Sequence, residues 1–250
     1  MSLTQSQSQP QASIKQLPPW LETAAFVAPL IVHMVLPIIV GCFFAETEPD
    51  AQPAYEKLIA TMGFQLFWGI GLLLYFRPTY LSHFRFKVSW LALPVGVLGC
   101  IAWVAIAGLD IEQNLLSLVG LEPLSRPAVN PFEGYSSSQQ VVFLIMRFAI
   151  LAVLVPLAEE IFLRGWLVRW IHDVDWNPVR ISELGSKALL APCVYGAITH
   201  PEIIAAIVWF GAVTWLMVKT KSIWSCVVAH MITNLLLGLY VLQTGSWELW

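Results

Sequence analysis

Long apolar runs broken by short polar stretches dominate the chain. They fall at about 24–44, 58–76, 88–109, 141–163, 188–200, 203–218 and 223–243. Most approach the ~20 residues that a spanning helix needs. The pattern predicts an all-α polytopic membrane protein with about seven transmembrane segments. The runs at 188–200 and 203–218 are short and are separated only by His200-Pro201-Glu202. Proline suits the first turn of a new helix. These two runs are expected to form a helical hairpin that turns within or near the membrane. Broken backbone at that depth must be covered by protein or line a cavity, so the turn is a candidate wall of a site.

Composition agrees with this class. Of 250 residues, 58% are hydrophobic and 12% charged, more apolar surface than a soluble domain can cover. A net charge of −3 offers no basic surface for nucleic acid. Cys42, Cys100, Cys193 and Cys226 each lie in an apolar run without CxxC spacing, which suggests neither disulfides nor a thiolate metal site.

Charge alternates between the loops. Residues 77–87 carry Arg77, Arg85 and Lys87; 164–187 carry Arg164, Arg169, Arg180 and Lys187; 219–221 carry two lysines. Residues 45–57 and 110–140 are mainly acidic. The positive-inside rule then places the N-terminus and the basic loops in the cytoplasm. Three regions are expected: a disordered polar tail over 1–20, N-terminal transmembrane helices over 21–140, and a membrane core over 141–250 that holds the polar elements described next. The Pro- and Ser-rich stretch 110–140 reads as poorly ordered or partner-facing. His33 and Gln65, each alone in an apolar run, are expected to satisfy a neighbouring helix. Arg147 is expected to snorkel. His172, Asp173 and Asp175 read as a solvated surface.

Three polar elements interrupt the apolar core. The first is Glu159-Glu160, with Arg164 one turn later. Residues four apart share a helix face, so Glu160 and Arg164 can pair. Glu159 is rotated by about 100° and can face a cavity. An apolar setting beside a like charge tunes a carboxylate for general-base work near neutral pH. The second is His200, at the hairpin turn. The third is His230 and Asn234, four apart in an apolar helix and therefore on one face. Each has a structural reading too: a helix exit, a capping histidine, and a hydrogen-bonded pair joining helices.

Taken in order, these elements resemble the CAAX prenyl endopeptidase and bacteriocin-processing (CPBP, or Abi) family. Its signature is Glu-Glu-x-x-x-Arg, then Phe-x-x-x-His, then His-x-x-x-Asn or Asp. Glu159, Glu160 and Arg164 match the first element; His230 and Asn234 match the third. The middle element departs: Gly196 stands four before His200, and Tyr195 five before. The resemblance spans about residues 145–243. The ending from Asn234 to Trp250 is similar to a bacterial branch named CAAX-protease-related, associated with exosortase systems.

The resemblance implies an intramembrane endopeptidase, in a bacterial inner membrane, taking a peptide substrate from the bilayer. Glu159 and His200 would hold and deprotonate the attacking water. His230 and Asn234 would stabilise the oxyanion, and Arg164 would pair with Glu160. No cofactor is expected; were zinc bound, Glu159, His200 and His230 would be its ligands. The alternatives are a non-catalytic scaffold or bacteriocin-immunity protein, and a transporter. The inverted repeats a transporter would show are not seen.

Overall fold

A computed structural model describes residues 17–43, 55–118, 120, 126 and 128–250. Most of the expected polar tail lies outside them, and α1 (Pro19–Phe43) already begins before residue 21. There follow α2 (Tyr55–Tyr75), the short α3 (Arg77–His83), α4 (Ala92–Ala107) and the short α5 (Ile111–Leu118). A continuous helical rod then runs over Ser137–His172. The last three long helices are α9 (Ser186–Thr199), α10 (Ile203–Thr220) and α11 (Ile223–Thr244). The described residues contain no strand. Five helices are long and apolar enough to cross a membrane, namely α1, α2, the Ser137–His172 rod, α10 and α11, and α4 is a shorter apolar helix.

The rod is not uniform. It comprises α6 (Ser137–Ala149), a π turn over Ile150–Leu154, α7 (Val155–Glu160), a second π turn over Ile161–Leu167, and α8 (Val168–His172). Ser136 starts it with a reciprocal cap: its hydroxyl accepts from the Gln139 amide, and its own amide donates to the Gln139 side chain. The two glutamates end α7, between the π turns. Such turns recur at functional sites because they re-aim the side chains that follow.

Glycines permit the tightest helix contacts. A Cβ on Gly96 would stand 2.7 Å from the Ala229 carbonyl, and one on Gly99 2.4 Å from the Trp209 ring. Close backbone approach through small residues is the usual substitute for hydrophobic drive between helices in lipid. The Thr233 hydroxyl adds a hydrogen bond to the Gly96 carbonyl at 2.8 Å. This pairing of α4 with α11 sets the wall against which α10 packs.

The hairpin of α9 and α10 turns at His200-Pro201-Glu202, as the pattern suggested, although Pro201 precedes the N-cap residue Glu202 instead of entering the first turn. The stretch 110–140 needs a correction. Its described part includes α5 and is tied to this turn. Glu112 accepts from the Ile204 amide at 2.7 Å, satisfying an orphan donor at the start of α10. Arg126 Nη1 lies 2.9 Å from Glu202 Oε1. His33 and Gln65 satisfy each other, the Gln65 amide donating to the His33 carbonyl at 3.0 Å. The guanidinium of the half-buried Arg147 lies over the Trp250 ring at 5.4 Å, and its Nε is buried.

Candidate active site

The two adjacent carboxylates have different surroundings. Glu160 is completely buried, and Glu159 keeps 9% of its surface exposed. Arg164 Nη1 lies 2.6 Å from Glu160 Oε2. The His230 Nδ1–H donates to Glu160 Oε1 at 3.0 Å. Arg164, also fully buried, donates from Nη2 to the Phe210 carbonyl at 3.3 Å and reaches the Thr214 hydroxyl at 3.5 Å. Glu160 therefore ties its own rod to α11, and Arg164 ties the rod to α10. An ion pair with no access to water holds only when its remaining polar atoms are also met, which these contacts partly do.

Glu159 faces another way. Its Oε1 accepts a hydrogen bond from the Tyr195 hydroxyl at 3.1 Å. Its Oε2 has no hydrogen bond to the described residues. The sequence singled out Tyr195 only as an aromatic one position off the expected spacing. Its contact with Glu159, 36 residues earlier, has no local sequence signal.

That offset has a steric basis. A Cβ on Gly196 would fall 2.3 Å from Cδ2 of Phe210, so the Phe210 ring fills the space a larger residue at 196 would take. Phe210 lies 5.7 Å, centroid to centroid, from both Tyr195 and His200, and the Arg164 guanidinium is 5.9 Å from its ring. An aromatic on α10 thus occupies the place where the family pattern puts one on the preceding helix. Gly196→Ala is expected to cost about 1–3 kcal/mol through overpacking. The penalty should shrink in a Phe210→Leu background, as a double-mutant cycle by thermal unfolding would read. Additive penalties would contradict this account.

His200 caps the end of α9. The Thr199 hydroxyl donates to the Tyr195 carbonyl at 2.8 Å, so its lone pairs face His200 Nδ1 at 2.9 Å. Nδ1 also lies 3.2 Å from the Gly196 carbonyl. These partners assign the proton to Nδ1 and leave Nε2 as an acceptor. The ring stands between Trp103 (5.4 Å) and Phe210. No hydrogen bond joins His200 to Glu159, Glu160 or His230 among the described residues.

His230 and Asn234 share α11, but their donors have different acceptors. The Asn234 amide donates to the Leu151 carbonyl at 2.9 Å. The first π turn explains that carbonyl's need. The Val155 amide bonds to Ile150, five residues back. In the same register Leu151 would pair with residue 156, which is proline and has no N–H. Asn234 supplies the missing donor. Asn234→Ala should therefore cost about 1–3 kcal/mol by leaving a half-buried carbonyl unpaired. The cost should fall when Pro156→Ala restores a backbone donor, and equal costs in both backgrounds would refute this reading of the unfolding data.

Among the described residues, no three His, Cys, Asp or Glu side chains are grouped to hold a metal ion. His230 Nδ1 is turned to Glu160 and His200 Nδ1 to its own helix end, which leaves Nε2 of each ring for another partner. The four cysteines are free thiols, so no disulfide braces this region.

Residues 141–236 match the family described as Type II CAAX prenyl endopeptidase Rce1-like. No curated protein and no solved structure gives a match to the chain. The matched segment holds both glutamates, Arg164, Tyr195, His200, His230 and Asn234. Residues 141–236 are thus similar to the CAAX prenyl endopeptidase family of membrane proteases.

Proposed function

We propose that this chain is an intramembrane endopeptidase that hydrolyses a peptide bond of a membrane-delivered substrate. The observation that carries this reading is the division of labour between the two carboxylates. Arg164 and His230 occupy Glu160, while Glu159, held on one oxygen by Tyr195, keeps the other oxygen for a proton.

In this mechanism Glu159 Oε2 and His200 Nε2 hold the attacking water. Glu159 takes its proton as the water oxygen adds to the scissile carbonyl. With its Nδ1–H on the Glu160 carboxylate, the His230 ring turns its Nε2 edge toward the developing oxyanion, to which its imidazolium form would donate. Asn234, with one amide hydrogen on Leu151, has its second hydrogen for the same oxygen. A single donor of this kind is worth ~2.7–4 kcal/mol. Glu159 then passes its proton to the leaving amine. Arg164 acts by fixing Glu160 and, through Phe210, the aromatic wall beside His200. No metal or other cofactor enters these steps.

The substrate reaches the site from the bilayer, with the basic loops and the N-terminus on the cytoplasmic side of a bacterial inner membrane. His200→Ala and His230→Ala, each purified as folded protein, are expected to lose cleavage of a reconstituted peptide substrate by about 100-fold or more. Undiminished cleavage by the His200 variant would remove it from the mechanism. A chain whose cellular effect survives both substitutions would instead be a non-catalytic member.

A further inference from the structure

A cleft of about 460 Å³ opens away from the catalytic residues, between the 84–91 loop, the 177–182 segment and the turn joining α10 to α11. Arg85, Lys87, Arg169, Arg180 and Lys221 line it, with His83, and no Asp or Glu among the described residues does. Arg85, Lys87, Arg180 and Lys221 are exposed, and none forms an ion pair with the described residues. The nearest acid in sequence, Glu183, accepts from the Arg180 backbone amide at 3.0 Å, not from its side chain.

The fifth cation is of another kind. Arg169 is 4% exposed. It donates to the carbonyls of Gly165, Val179 and Asn177 and lies over the rings of Phe84 (5.3 Å) and Trp176 (4.9 Å). All these partners are neutral. The nearby Glu22 carboxylate, held by His83 and the Asn177 amide, does not pair with the guanidinium, so the buried charge adds its field, partly offset by Glu22, to a cleft already rimmed by four cations.

The flank of the cleft is apolar. In Phe84-Arg85-Phe86-Lys87-Val88-Ser89-Trp90, cations alternate with apolar side chains, and the segment is neither helix nor strand over 85–89. Phe86 is 67% exposed and Trp90 79%. Exposed aromatic rings beside cations at the ends of spanning helices mark the level of lipid headgroups. Basic pockets at that level suit anionic headgroups.

We propose that this cleft binds the phosphate group of an anionic lipid, whose acyl chains lie along Phe86 and Trp90. Arg85, Lys87, Arg180 and Lys221 contact the phosphate, and Arg169 sets the potential from below. The site is independent of peptide-bond cleavage and stands whether or not the chain is a protease.

The test is thermal unfolding of the detergent-purified full chain, titrated with dihexanoyl phosphatidylglycerol, dihexanoyl phosphatidylcholine or inorganic phosphate. A saturable rise in Tm with phosphatidylglycerol alone is expected. Each cation near a membrane surface contributes about 1 kcal/mol, so Arg85→Gln/Lys87→Gln/Arg180→Gln should weaken binding about 100-fold. Its ligand-free Tm should not change, because the three side chains are exposed and unpaired. Lys221→Gly, at a position where φ is 53° and glycine is unstrained, should weaken binding about 5-fold and serves if the triple variant does not fold. An equal rise with inorganic phosphate would overturn the lipid assignment in favour of a free-anion site. No saturable rise, or the same affinity in the variants, would overturn the proposal altogether.

Discussion

Arg164→Ala is expected to destabilise the folded protein by about 3–5 kcal/mol, the usual cost of removing one partner from a buried ion pair. Glu160 would keep His230 but lose the 2.6 Å contact on its other oxygen, with no water to replace it. The Phe210 carbonyl and the Thr214 hydroxyl would lose their guanidinium contacts as well. Lysine restores the charge but not the fork that spans Glu160 and α10, so Arg164→Lys should fall between wild type and alanine. Removing the orphaned charge with Glu160→Gln in the Arg164→Ala background should recover much of the loss. Unfolding in detergent, followed by intrinsic tryptophan fluorescence, gives all four values. A loss below about 1 kcal/mol for Arg164→Ala would show that this pair does not hold α10 to the rod.

Glu159→Gln should have the opposite profile. The amide keeps an oxygen for the Tyr195 hydroxyl and takes a negative charge out of an apolar setting, so folded yield and Tm should hold or rise. Cleavage should fall by roughly 100- to 10,000-fold, the range for loss of a general base. Tyr195→Phe removes one hydrogen bond and leaves the base, so its effect on rate should be smaller. The comparison needs one assay of peptide cleavage and one of thermal stability on the same preparations. Comparable turnover by Glu159→Gln and wild type would end the base assignment, whatever the outcome for the histidines.

The spans were readable because lipid demands one thing of a crossing helix, a sufficient apolar length. The Glu160–Arg164 contact was readable because it is local, four residues along one helix. Contacts between distant segments were not. His230 meets Glu160 across 70 residues, and no spacing within α11 says which nitrogen turns toward it. Asn234 and Leu151 depend on a π turn and on a proline at its end, and neither appears as a change in hydropathy. Gly196 stood out only as a missing aromatic, because the ring that replaces it comes from α10. Glu112 and Arg126 looked like the ordinary polarity of a loop. Their function as clamps on the hairpin turn exists only once α9 and α10 have folded back on themselves.

The two π turns also bear on how the gene can change. Each is a turn stretched by one extra residue, so each is a point where a codon can be lost without breaking the rod. Deleting one residue from 150–154 would relax the first turn to ordinary helix and swing everything upstream by about 100° relative to the glutamates. The helix would survive, but α6 would present a different face to its neighbours, and the Leu151 carbonyl would leave Asn234. A one-codon deletion here should thus give a membrane-inserted, helical protein with a dismantled site. Length along this rod therefore matters to the site as much as the acidic residues it carries.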